Sequence, residues 1–416
     1  MKIRSITYFC NPGWPVDESA LRQAGAFLAS TRPAFEAAGY QVQTARLATP
    51  PFPRLLNLSE REDASQAQVE ALSLAQAYEA AARHSGYDYV SLGPALPDLP
   101  ASYLLIPPLL AATQNAFFSA MMTTSGSGVS LPAVRLCAGI IHQAAAITPD
   151  GFTNLRFAAL ANVPPGAPFF PAAYHQGDQP VYALATEAAD LAVEAFSQAG
   201  SLEAARQDMV AAIQTHAKAL IWVVEQLGWD QPAFGGIDFS LAPFPEQALS
   251  LGTALERLGA PRVGLPGSLA AAAIIADSLD QAQFPRAGFS GLFMPVLEDA
   301  TLALRAGEGS LGLKDLLLYA AVCGTGLDTV PLPGDTTPDI LAAILLDLAA
   351  LAQRLDKPLT ARLMPIPGKA AGDPTDFDFP YFANSRVLSV RAEALQRHLD
   401  SPAVFSLQSR TSRGSR

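Results

Sequence analysis

The chain is short of the residues that most often announce a function. Three cysteines, Cys10, Cys137 and Cys323, are scattered over 416 residues. Their odd number and wide spacing exclude a disulfide framework or a paired-cysteine zinc site. Their expected fate is burial as small apolar groups, and a reducing, cytoplasmic setting suits them. Charge is also scarce: 16% of residues are charged, and the acidic ones dominate to give a net charge of -11. This excludes the basic face of a nucleic-acid protein, although a local basic pocket for a small anion remains compatible with it. No apolar run of about 20 residues is free of charge, proline or glycine, so no transmembrane helix is expected. The opening "MKIRSITYF" has neither the h-region nor the cleavage site of a signal peptide. There is no H-E-x-x-H, EF-hand, Walker or G-x-G-x-x-G sequence, so no nucleotide or metal can be read from a motif.

What is present suits a large folded core. Half the residues are hydrophobic, and 34 prolines with 30 glycines imply many short connections. Alternating or apolar stretches predict strands at Lys2–Phe9, Tyr40–Ala48, Tyr87–Gly93, Asn154–Val163, Pro180–Thr186 and Gly235–Pro243. Further strands are expected in "APRVGLPG", in "GLFMPVL" running into a helix, after "CGTG", and in "PLTARLMPIPG". Helical periodicity lies between them, as in "SEREDASQAQVEALSLAQAYEAAARHSG" and in two helices broken at Gly200. About ten strand–helix units follow one another without a dividing linker. One α/β unit spanning residues 1–406, with a basic disordered tail at 407–416, therefore fits better than two Rossmann-like domains. Periodicity leaves a closed barrel and a wide sheet both open.

Several ordered blocks carry a resemblance: "TTSGSGVSLPAVR", "ANVPPGAPFFPAAYHQG", "GIDFSLAPFP", "FSGLFMPVLEDATLALRAGEGSL" and "VCGTGLDTVPLPGDT". Together they resemble the uncharacterised domain of unknown function 711 family (UPF0210-type), also labelled pyruvate formate-lyase-like. The resemblance implies the α/β barrel of about ten strands of glycyl radical enzymes, helices outside and a hairpin entering the barrel. It brings no established reaction. Glycyl radical chemistry would need a C-terminal loop of the R-V-x-G-Y kind. "NSRVLSV" has neither the glycine nor the tyrosine, so radical chemistry is not expected. After "RLMPIPGKAAGD" the chain departs from the family, with "PTDFDFPYFANS" where a glycine-rich segment is expected.

The candidate residues are weighed against plainer roles. Asp238 and Asp328 lie in apolar, strand-like stretches, where a carboxylate is costly unless paired or wetted by a ligand. His175, in the loop "AAYHQGD", is the preferred acid–base histidine, with Asp178 placed to orient it. Thr124 and Ser125, before a predicted helix, could offer hydroxyls to an anion at the helix N-terminus, or merely cap it. Arg362, emerging from a strand, could clamp a carboxylate or phosphate. Cys323 sits at the end of a predicted helix, where the dipole disfavours a thiolate, so a turn residue is weighed above a reactive thiol. Glu298 and Asp299 suit the first turn of a helix. The expectation is a small-molecule enzyme using acid–base chemistry on an anionic metabolite, with the site residues meeting at one barrel mouth. A divalent metal among the carboxylates and His175 is compatible but has no motif. The alternative is a sensor binding the metabolite without turnover, and a homo-oligomer is compatible with either.

Overall fold

A computed structural model of the chain describes residues 1–61, 63–124 and 128–409. Its strands are β1 (Lys2–Phe9), β2 (Val42–Ala48), β3 (Tyr89–Ala95), β4 (Ala116–Met121), β5 (Thr123–Thr124), β6 (Gly128–Ser130), β7 (Phe157–Ala161), β8 (Val181–Glu187), β9 (Ala233–Asp238), β10 (Gly326–Pro333), β11 (Leu359–Ile366) and β12 (Val404–Phe405). Nine of them form one sheet in the order β10-β11-β7-β4-β3-β2-β1-β8-β9, and β12-β6-β5 form a small second one. The fold is thus α/β around a large, mostly parallel sheet.

That sheet is made of two opposed blocks. β1, β2, β3, β4 and β7 are mutually parallel. β8 with β9, and β10 with β11, are parallel pairs, but they join the central block antiparallel through β1–β8 and β7–β11. Five strands therefore end at one rim of the sheet and four at the other. Helices including Glu18–Ala37, Ala64–His84, Leu131–Ala145, Leu202–Leu227 and Pro338–Leu355 pack their apolar sides with the sheet into one extended core. The sheet's other face receives the loop at 162–180, with apolar clusters around Phe169 and Phe170. Small hydroxyl residues on the strands anchor this loop: Thr7 Oγ1 donates to the Pro168 carbonyl (3.4 Å) and Ser91 Oγ to the Ala173 carbonyl (2.6 Å). The incoming backbone must find such partners, because no water can serve it once buried.

The sequence reading places β1, β2, β7, β8 and β11 well and misses β4 together with its helix Ala101–Ala112. That helix is apolar all round and carries Pro107 and Pro108, so neither period nor propensity marks it. "APRVGLPG" forms turns rather than a strand. "GLFMPVL" belongs to a segment that makes only single bridges, Arg286 to Ile237, Leu292 to Leu241 and Pro295 to Asp328. Pro295 lacks a donor, and Ser290 has a positive φ of 40°; both interrupt a ladder. The predicted tail lies outside the described residues from 410 on, whereas Gln408 offers its carbonyl to Arg354.

The bridged segment nevertheless packs tightly against the turn after Cys323. A Cβ added to Gly291 would lie 2.6 Å from the Gly324 Cα, a backbone-to-backbone approach that only glycine permits. Gly291→Ala should lower stability by about 1–3 kcal/mol, the usual cost of overpacking. Denaturant unfolding measures this, and an unchanged midpoint would show that the two segments do not touch as described.

Candidate functional site

At one end of the sheet a cavity of about 80 Å³ opens between the strands and the buried loop. A single water needs roughly 10–15 Å³, so a small molecule fits. Arg4 of β1, Thr44 and Arg46 of β2, Glu298 and Arg362 of β11 form its polar wall. Tyr89 at the start of β3 and Tyr381 supply two hydroxyls, while Phe117, Phe169, Phe170 and Phe379 form the apolar wall. The strand register explains the neighbours: Arg46 pairs with Tyr89, and Ser91 two residues on pairs with Phe117. Phe169 and Phe170 come from the inserted loop. The Arg362 guanidinium lies 5.3 Å from the centre of the Phe169 ring, and that of Arg46 5.2 Å from Phe170, within cation–π range.

The charges alternate through space. Arg362 donates from Nε to Asp328 and from Nη2 to Glu298 at 2.7 Å. Glu298 also accepts from Arg4, whose Nη1 lies 3.6 Å from Glu187. Glu187 in turn meets Lys2 at 3.5 Å and Gln43 Nε2 at 2.7 Å. Burial alone would raise the Glu298 carboxyl, but Arg362 and Arg4 outweigh it and hold the group below its ordinary value. Asp328 is raised by burial, against the pull of Arg362, and its Oδ2 has no hydrogen-bond partner among the described residues. Arg46 is the exception in the chain of pairs. It is buried, its Nε donates to Thr44 Oγ1 at 3.0 Å, and no carboxylate among the described residues lies within ion-pair reach. Burial, then the repulsion of Arg4, pushes its guanidinium down to about 9. Physically, this cation lacks the anion that its surroundings demand.

Of the residues singled out from sequence, only Asp328 and Arg362 come together. Asp238 is buried elsewhere. It accepts from the Ser240 hydroxyl and from the N–H groups of Phe289 (3.0 Å) and Ser290 (2.8 Å), tying β9 to the bridged segment. Burial raises its carboxyl to about 6 despite these bonds. His175 and Thr124 line clefts at the other rim: His175 beside Asn11, Arg54 and Asp178, and Thr124 beside Asn162 and Gln353. The expected single mouth fails because the two strand blocks are antiparallel, so their C-terminal ends face opposite ways. Thr124 belongs to a short hairpin; the helix Leu131–Ala145 is instead capped by Ser130, whose Oγ accepts from Ala133 N–H. The anion site expected at that helix N-terminus is thus not formed by Thr124, and Ser125 lies outside the described residues. Asp299 stands at the N-cap of the helix Ala300–Glu308 and not in its first turn, while Glu298 beside it turns into the cavity. Among the described residues no three histidine, cysteine or acidic side chains are grouped to hold a metal.

Arg4 and Arg46 escaped the sequence reading. The signal was available: Arg46 is a lone charge in an alternating strand, and Arg4 shares its strand only with Lys2 at the first position, the same kind of anomaly that marked Asp238 and Asp328. The segment after Asp373, where a departure from the family is expected, also has a place. Phe377, Phe379 and Phe382 pack on Phe152, and Tyr381 packs on Phe244, which brings Phe379 and Tyr381 over the cavity.

Two predictions follow from the titrating groups. Cys323 is 2% exposed, its thiol raised by burial although Lys357 opposes this. Lys357 caps the preceding helix end through the carbonyls of Ala320 (3.1 Å) and Ala321 (3.4 Å), so Cys323 is placed as a turn residue. Iodoacetamide at neutral pH should label no cysteine of the folded protein and all three after unfolding; fast native labelling at Cys323 would contradict this. Burial also holds the His175 imidazole below its ordinary value, against the Gly177 backbone and Asp178. Such a group contributes stability that is whole above the unfolded-chain value of about 6.5 and is lost as pH falls through the folded one. The unfolding midpoint should therefore drop more steeply below pH 6.5 in the wild type than in His175→Gln. Equal slopes would show a freely protonated ring.

The model of the family described as Uncharacterised ACR (DUF711) matches residues 1–384. A UPF0210 protein of Pyrobaculum arsenaticum is 39% identical over 270 residues, 59% of this chain and 56% of the relative. The chain thus spans little more than half the length of that relative. Longer matches are to UPF0210 proteins of Pyrobaculum islandicum, 32% identical over 81% of this chain and 76% of the relative, and Methanopyrus kandleri, 30% over 86% and 82%. The protein belongs to the uncharacterised DUF711 family, whose curated relatives carry the name UPF0210.

Proposed function

We propose that the chain is a small-molecule enzyme that binds an organic anion in the arginine-lined cavity and acts on it by acid–base chemistry. One observation carries this reading: Arg46, a buried cation without a carboxylate partner, faces a cavity large enough for a ligand. A bound anion would supply the missing countercharge. Tyr89 lies next to Arg46 in register. Burial raises its hydroxyl and Arg46 draws it back, which suits a proton donor to a group held by the guanidinium. The ion-paired Glu298 and Arg362 position the site without being spent in it.

We further propose that the sheet closes into a barrel of ten strands, with the segment at 286–296 as the irregular tenth. Its bridges to β9 on one side and β10 on the other support this. Radical chemistry is not part of the proposal, since "NSRVLSV" lacks the glycine and tyrosine of a radical loop. No helix among the described residues is long and apolar enough to cross a membrane, and the three cysteines are free and buried. A cytoplasmic setting is proposed on the latter ground.

A second reading has its own support. Glu298 is committed to two arginines and Asp328 to one, and among the described residues no histidine lines the cavity. Binding without turnover, as in a sensor, would need no more. Metabolite-pool assays on wild type, Arg46→Met and Tyr89→Phe separate the two. The enzyme reading expects turnover that is lost in Tyr89→Phe while binding persists, and binding weakened about 10-fold or more, roughly 1.4 kcal/mol, in Arg46→Met. Ligand binding with no turnover in the wild type establishes the sensor.

A further inference from the structure

Three arginines line the cavity. Arg362 pairs with Asp328 and Glu298, and Arg4 with Glu298 and Glu187, whereas Arg46 pairs with no carboxylate among the described residues. The lining thus keeps a surplus of one unpaired positive charge, on Arg46. Asp88, next to Tyr89, is exposed, so solvent screens it and it does not restore the balance. A ligand with one negative charge neutralises this surplus. A second negative charge would be buried without a partner, and Glu298 in the wall would repel it.

The shape of the donor matters as well. Arg46 uses Nε on Thr44, which leaves the two terminal nitrogens of a planar fork. That pair matches the two oxygens of one carboxylate. Around the fork the wall is aromatic. Phe117 and Phe170 are 5.5 Å apart at 59°, Tyr89 meets Phe117 edge-on at 5.1 Å, and Phe379 and Tyr381 cover the rim. Rings at such spacing favour a flat apolar body over a polyhydroxylated one.

We infer that the ligand of this cavity is a monocarboxylate with a flat apolar body, and not a dicarboxylate or a phosphate ester. The inference rests on the anion-binding reading proposed above and adds to it the ligand's charge and shape.

Titration calorimetry on the full chain at pH 8 and constant ionic strength tests it with four probes: benzoate, terephthalate, phenyl phosphate and acetate. The first three share a body and differ in charge; the last keeps the charge and drops the body. The expected result is benzoate bound at least 10-fold more tightly than any other probe, with that affinity reduced at least 10-fold in Arg46→Met. Tyr381→Ala, at the rim, should weaken benzoate several-fold and leave acetate unchanged. Phenyl phosphate or terephthalate binding as tightly as benzoate, and still lost in Arg46→Met, overturns the single-charge inference while the anion site stands. Acetate matching benzoate overturns the apolar body. Benzoate binding that is indifferent to Arg46→Met, in a variant whose circular dichroism is native, overturns the site itself, as does the absence of binding by all four probes. Where Arg46→Met does not fold, the wild-type ranking and Tyr381→Ala decide.

Discussion

The alternating chain of charges Asp328–Arg362–Glu298–Arg4–Glu187 is the constraint around which the interior is arranged. Its members come from β10, β11, the start of a helix, β1 and β8. They therefore join strands from both blocks of the sheet and the segment between its edges. Buried ion pairs are weak evidence for stability, since desolvation can exceed the Coulombic gain. Their leverage lies in the cost of breaking them: removal of a member strips its buried neighbours of one partner, and removal of Arg362 leaves Asp328 with none among the described residues. The network thus favours one arrangement of the strands over near alternatives, and it holds Arg362 and Glu298 rigid at the cavity wall.

Against that rigid frame Arg46 stands out. Arg4 and Arg362, the other cations that line the cavity, are paired with carboxylates, whereas Arg46 has a hydroxyl and an aromatic ring. A fold that needed only a filler at this position would be better served by an apolar residue of similar volume, which demands no countercharge. The fully paired network and the unpaired cation are complementary: the first keeps the second from relaxing towards an internal carboxylate.

The inserted loop at 162–180 links the two ends of the molecule. Its backbone is held by β1, β3 and the Thr49 carbonyl, and its aromatic residues reach the cavity. His175, further along the same loop, remains at the opposite rim. The aromatic segment after Asp373, within the stretch that the family model matches up to residue 384, lines the same cavity through Phe379 and Tyr381.

Local chemistry alone determined a good deal. The alternation of β1 and β2, the helix break at Gly200 and the buried fate of all three cysteines follow from neighbours a few residues away, and those are the scales on which propensity and periodicity act. The anomaly of a carboxylate in an apolar strand correctly flagged Asp328 and Asp238 as residues in need of partners. It could not say that Asp328 would find Arg362 and Glu298 while Asp238 would find Ser240 and two backbone N–H groups. Nor could it place β4, whose helix is hidden by its own uniform apolarity. Only the tertiary structure decided that the two strand blocks run in opposite directions. That antiparallel join turns equivalent strand ends to opposite rims, separates His175 and Thr124 from Arg362, and brings Arg4, Arg46 and Glu298, far apart in the chain, around one cavity. Strand direction depends on how the whole sheet is wound, and no window of sequence contains it.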